Sequence, residues 1–203
     1  VEEMLRDSID ALTTGNRELI ETSRETEQEV RRRNGEVKLY LAELNRTKLS
    51  SNESSRSMQL SDFGVSLENI ASVISNSLLR LAEEKRDRGQ DFSEAGLQDI
   101  SRMHDRVLAN FQLSLNVLIS GDHETARQLV EEKDKVRAAE RKSVAGHMKR
   151  LRENVSESVD TSDIHLETLR DLKHINSLFT TVAVPVLTER GDLLESRLSG
   201  ISA

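Results

Sequence analysis

Apolar residues recur at intervals of three and four along most of the chain, the spacing that puts them on one face of an α-helix. Val1, Leu5, Ile9 and Leu12 open the pattern, and Gly15 is placed to stop it, predicting a helix over residues 1–13. A second helix is expected over about 16–44, with Leu19, Val30, Val37, Leu41 and Leu44 on one face. A Ser- and Asn-rich break at 50–57 precedes a third, which carries Leu67, Ile70, Ile74, Leu78 and Leu81 and runs through the charged stretch 83–88 to Gly89. The fourth begins after Asp91-Phe92-Ser93, carries Leu97, Ile100, Val107, Phe111, Leu115 and Leu118, and stops at Gly121. The fifth covers 122 to about 153, with Ala126, Leu129, Val136 and Leu151. A turn at 156–160 leads to the sixth, with Asp160 as its expected N-cap and Ile164, Leu169, Leu172, Ile175, Phe179, Val182 and Val186 as its stripe. Pro185 should kink or terminate that helix, and residues 191–203 are expected to form a marginally ordered tail.

The pattern repeats. A shift of about 106 residues pairs Val1 with Val107, Leu5 with Phe111, Ile9 with Leu115, Gly15-Asn16 with Gly121-Asp122, and Val30-Arg31 with Val136-Arg137. A shift of about 105 pairs Leu67 with Leu172, Ile70 with Ile175 and Ser72 with Ser177. The order of helix, Gly-Asn/Asp, long helix, loop and long helix therefore occurs twice, which predicts a tandem duplication of a three-helix unit over residues 1–89 and 90–190. The pattern is in phase at Val1 with no capping residue before it, so the chain is expected to be a piece of a longer polypeptide.

Composition agrees with an all-α fold. Aromatic residues are 2% of the chain and proline occurs once, while charged residues are 32%, which suits helices with wet outer faces rather than strands. The core must be Leu, Ile, Val and Ala. A net charge of -7 argues against nucleic acid as a partner. The densest basic stretches, Arg31-Arg32-Arg33 and the region from 141 to 152, lie among glutamates and read as solvated helix faces. There is no cysteine, which excludes disulfides, thiolate metal sites and a cysteine nucleophile and fits a reducing compartment. Three Asn-x-Ser/Thr triplets, at Asn45, Asn52 and Asn154, read as chance matches to the glycosylation pattern. No stretch approaches the ~20 apolar residues that span a bilayer.

Candidate chemistry is sparse. His104, His123, His147, His165 and His174 are scattered, and His165 and His174 fall on opposite faces of one helix. They are not expected to share a metal. No acid, base and nucleophile come together, so the chain is not expected to be an enzyme. The informative feature is a polar seam. Helical spacing sets Glu27, Arg31 and Asn34 along or beside the Val30 stripe of the first unit, and Lys133, Arg137 and Glu140 beside Val136 of the second. The closing helices add Glu68 and Ser72 in the first unit and Lys173 and Ser177 in the second. Charges on a core face must be paired, so the seam reads first as an interhelical ion-pair network that fixes register. It reads second as a variant of an ion site. The cations Lys133, Arg137 and Lys173 are the wrong charge for a divalent metal, and Glu27 and Glu68 are the only weak metal candidates.

The segments Leu67-Glu-Asn-Ile-Ala-Ser and Leu166-Glu-Thr-Leu-Arg-Asp-Leu-Lys-His-Ile-Asn-Ser resemble the PhoU family, tandem pairs of three-helix bundles. Leu129-Val-Glu-Glu-Lys-Asp-Lys-Val-Arg, Ser158-Val-Asp-Thr-Ser-Asp-Ile-His-Leu and Val184-Pro-Val-Leu make the chain similar to the PhoU-like C-terminal domain of bacterial sodium/phosphate cotransporters. That resemblance implies a regulatory domain on the cytoplasmic side of the bacterial inner membrane. Its partner would be the transmembrane transporter part of the same polypeptide, with a homodimer also open and no cofactor. Metal-binding members of the family carry paired acidic motifs. The matching positions here are Glu27/Arg31, Lys133/Arg137, Glu68/Ser72 and Lys173/Ser177, and only Glu27 and Glu68 keep a carboxylate, so the resemblance implies no metal. A free-standing metal-binding phosphate-signalling protein is the alternative, and a coiled-coil-like scaffold a third, which the duplication disfavours.

Overall fold

The structure is a computed structural model and describes residues 1–189; the expected tail at 191–203 lies outside them. Every regular element among the described residues is helical. The first unit consists of α1 (Glu2–Thr14), α2 (Arg17–Leu44), α3 (Ser51–Val73) and α4 (Leu79–Asp87), the last two joined through a π-helical turn, Ile74–Leu78. The second consists of α5 (Glu94–Ser120), α6 (His123–Arg152), the short α7 (Ser156–Asp160), α8 (Ser162–Thr180) and α9 (Ala183–Thr188). Taken as rods, these are two three-helix bundles in series.

The same punctuation folds both units. Gly15 and Gly121 end their helices in the left-handed conformation, at φ 66° and 62°, which costs a glycine nothing. The next residue then caps the long middle helix: the Asn16 side chain accepts from the Glu18 amide at 2.9 Å, and Asp122 from the Thr125 amide at 2.8 Å. Ser93 caps α5 through the Gly96 amide at 3.2 Å.

Three expectations are corrected. The break at 50–57 is instead the start of α3, because Ser50 and Glu53 form a reciprocal capping box that a Ser-rich stretch conceals. Asp160 is not a cap: it closes α7, and α8 starts from Thr161 with no side-chain cap. Val37 does not join the buried stripe of α2 and stays 44% exposed; Leu41 is buried as expected, and Ile20, outside the expected stripe, is buried with it. The third helix carries its expected stripe through a π turn at Ile74–Leu78, which adds a residue to the ladder and keeps Ile74 and Leu78 both in the core. Pro185 sits inside α9; lacking an amide hydrogen, it cannot close onto the Thr181 carbonyl, and the chain turns at Thr181 and Val182 before α9 begins.

One apolar core runs across both units, from Met4, Leu5 and Leu12 through Ile70, Ile74 and Leu78 to Val107, Phe111, Leu172 and Phe179. A smaller cluster of Val117, Ala126, Leu129, Ala183 and Leu187 closes the far end of the second unit. The units are also tied by polar contacts. The buried His104 ring contacts the Leu5 carbonyl through Nε2 at 2.9 Å, Arg80 reaches Glu167 at 2.8 Å, and Arg88 reaches Asp163 at 2.9 Å. No described helix is long and apolar enough to cross a membrane.

Candidate functional site

Of the ten seam residues only Asn34 is buried; Arg31 is exposed and the other eight are half-buried at the margin of the core. Long charged side chains on a middle helix can lay their stems on the core edge while the charge stays wet. In the first unit, Glu68 of α3 is the hub. It accepts from Asn34 Nδ2 at 2.5 Å and from Lys38 Nζ at 3.0 Å, both on α2. Lys38 and then Asn34 hold its carboxyl below the usual carboxylate range. Glu27 pairs within α2, accepting from Arg31 at 2.7 Å, and Ser72 accepts from Asn76 at 2.9 Å. Lys38 is the partner that sequence spacing missed; it lies four residues beyond Asn34, one turn along the same face.

The second unit builds the corresponding contact with the charges reversed. Lys173 of α8 donates to Glu140 of α6. Ser177 donates back to the Lys173 carbonyl at 3.0 Å, and Arg137 lies 3.4 Å from Asp134 on its own helix. Arg137, Glu140, Lys173 and Ser177 line one groove of about 340 Å³, together with Arg141. Lys133 is half-buried on the same helix and has an interacting partner. Glu27 and Glu68 are each engaged by a cation, and among the described residues no group of three or more His, Asp or Glu is placed to hold a metal ion. The residues present do not fit a metal centre.

A second polar cluster escaped sequence reasoning. His147 near the end of α6 and His165 on α8 are both 1% exposed, and their rings stack 4.6 Å apart, 13° from parallel. His147 Nε2 contacts Ser162 Oγ at 2.9 Å, and Arg150 reaches Asp99 of α5 at 3.2 Å beside the pair. Phe92 meets His165 edge-on at 6.2 Å. Burial, then the positive charge of Arg150, pushes the His147 pKa down; burial and then His147 push His165 down to about 4. Both rings are neutral at pH 7. The two histidines lie eighteen positions apart across a reversal of the chain, so no helical spacing connects them.

The PhoU domain family matches residues 1–79 and 100–184. The protein YjbB of Salmonella typhimurium (strain LT2), named for inorganic phosphate export, is 35% identical over 161 residues, covering 79% of this chain and 30% of that protein. The YjbB protein of Escherichia coli K12, with the same name, is 31% identical over 153 residues, covering 75% of this chain and 28% of its own length. The chain thus spans under a third of the length of these relatives. The crystal structure of PhoU from Pseudomonas aeruginosa superposes with a TM-score of 0.81 at 17% identity, covering 94% of this chain and 90% of that one. Two family matches, one on each bundle, and a shared fold over nearly the whole length establish that the chain belongs to the PhoU domain family.

Proposed function

We propose that the chain is the regulatory domain of a sodium-dependent phosphate cotransporter, tuning phosphate movement through helix-face contacts with the membrane part of the same polypeptide. The observation that carries this reading is the match to two relatives named for inorganic phosphate export, of which this chain corresponds to 30% and 28%. No described helix could cross a membrane, so in this reading transport belongs to another part of the polypeptide and this part controls it. The solvated charges on α2 and α6 supply contact faces of both signs. The domain lies on the cytoplasmic side of the bacterial inner membrane in this account, and it acts by contact, with no catalytic step.

The test is fractionation of the native protein in its own cells with an antibody to this domain. A band well above 22.9 kDa that pellets with membranes and needs detergent supports the reading. A detergent-independent band near 22.9 kDa contradicts it. That outcome supports a free-standing PhoU-like signalling protein, a reading favoured by the 90% coverage of the Pseudomonas aeruginosa PhoU chain.

A further inference from the structure

We propose that the groove between α6 and α8 in the second unit is a binding site for a phosphate-class oxyanion, with the guanidinium groups of Arg137 and Arg141 and the ammonium of Lys173 as its donors. The choice of phosphate rests on the reading above; the site itself rests on the groove.

The duplication supplies the control. The first unit has Arg31, Asn34 and Gly35 where α6 has Arg137, Glu140 and Arg141, and Glu68 where α8 has Lys173. Its charges cancel once the partners are counted, Arg31 against Glu27 and Lys38 against Glu68. In the second unit three cations face one carboxylate, Glu140, inside a single groove of about 340 Å³. Crediting Asp134 to Arg137 at 3.4 Å still leaves a surplus positive charge. The wider helix amplifies the difference. Residues 133–152 hold eight Lys and Arg against two Asp and Glu, a net of +6, whereas the corresponding stretch 27–46 holds five against four, a net of +1. This concentration of positive charge sits in a chain whose net charge is -7.

The donors suit the ligand. The Arg141 side chain makes no hydrogen bond or ion pair with the described residues, so its guanidinium fork is available, and a planar fork matches the oxygen spacing of phosphate. Lys173 adds a point charge, with Glu140 placing its ammonium at the wall of the groove. Ser177 spends its hydroxyl hydrogen on the Lys173 carbonyl, which orients the α8 side of the groove but leaves no hydroxyl donor. Because Arg137 and Lys173 are 44% and 33% exposed, each contact is weak and screened. Binding belongs in the millimolar range and should weaken with salt.

The experiment is a titration of the full 203-residue chain with inorganic phosphate at constant ionic strength, read by backbone amide NMR shifts, with chloride as the reference anion. Saturable shifts confined to the Arg137–Arg141 and Lys173–Ser177 stretches are expected. In Arg141→Gln and Lys173→Gln the affinity should fall about threefold each, while Arg32→Gln on the first unit leaves it unchanged. Identical shifts with chloride, or full affinity in both groove variants, would overturn the site. Vesicles of phosphatidylglycerol and of phosphatidylcholine form the second arm: Arg141-dependent binding to phosphatidylglycerol alone, without free phosphate, keeps the groove and makes its ligand a lipid headgroup. Loss of phosphate binding in these variants reports on the groove whatever removal of the domain does to transport.

Discussion

His147 and His165 stack face to face with ring centroids 4.6 Å apart, sealed between α5, α6 and α8 with Arg150 and Asp99 alongside. Two neutral imidazoles tolerate this contact; two imidazolium rings beside a guanidinium would not.

The fold should therefore weaken in mild acid. The unfolded chain takes up a proton at His165 near the ordinary value of about 6.5, whereas the folded chain resists until about 4. Between those limits the unfolded state binds more protons, so stability falls as pH falls, by about 3 kcal/mol from this group at the acid end. Urea midpoints from pH 7 to pH 4 measure it. His165→Phe should flatten the profile, and an unchanged slope in that variant would refute the assignment.

Gly64 and Gly35 should respond to alanine with opposite signs. A Cβ at Gly64 would sit 2.4 Å from Asn34 Oδ1, displacing the side chain that holds Glu68, while one at Gly35 would meet nothing within 4 Å. Gly35→Ala should stabilise α2 by about 0.5–1 kcal/mol through helix propensity alone. Gly64→Ala gains the same increment but loses a charge-assisted hydrogen bond worth about 1.5–3 kcal/mol, for a net loss near 1 kcal/mol. Thermal unfolding of the two variants decides.

Asn110 donates to Asn176 at 2.8 Å inside the apolar contact of α5 with α8, both side chains being fully buried. Asn110→Ala strands the Asn176 oxygen and should cost about 1–3 kcal/mol. A double change to leucine removes both polar groups and should recover part of that loss, as a double-mutant cycle would show.

The helices and their duplication were legible because helix spacing and the Gly-Asn and Gly-Asp boundaries are local signals. What failed was also local chemistry competing with pattern: Ser50 caps rather than breaks, and Asp160 ends a short helix instead of starting a long one. The seam positions could be placed on helix faces, but their partners could not, because Lys38 on Glu68 and Glu140 on Lys173 depend on how two helices align. The histidine stack was invisible for the same reason, joining residues on opposite sides of a turn. Burial was overestimated at Val37 and Arg31, where a wide middle helix keeps a wet edge.

Control of phosphate transport by this domain is measured by radiolabelled phosphate flux across the membrane of cells making the whole polypeptide. It is compared with cells in which this domain is replaced by an unrelated helical bundle, at matched protein levels. Replacement should change the flux or its response to phosphate concentration. Identical flux and identical response would contradict it.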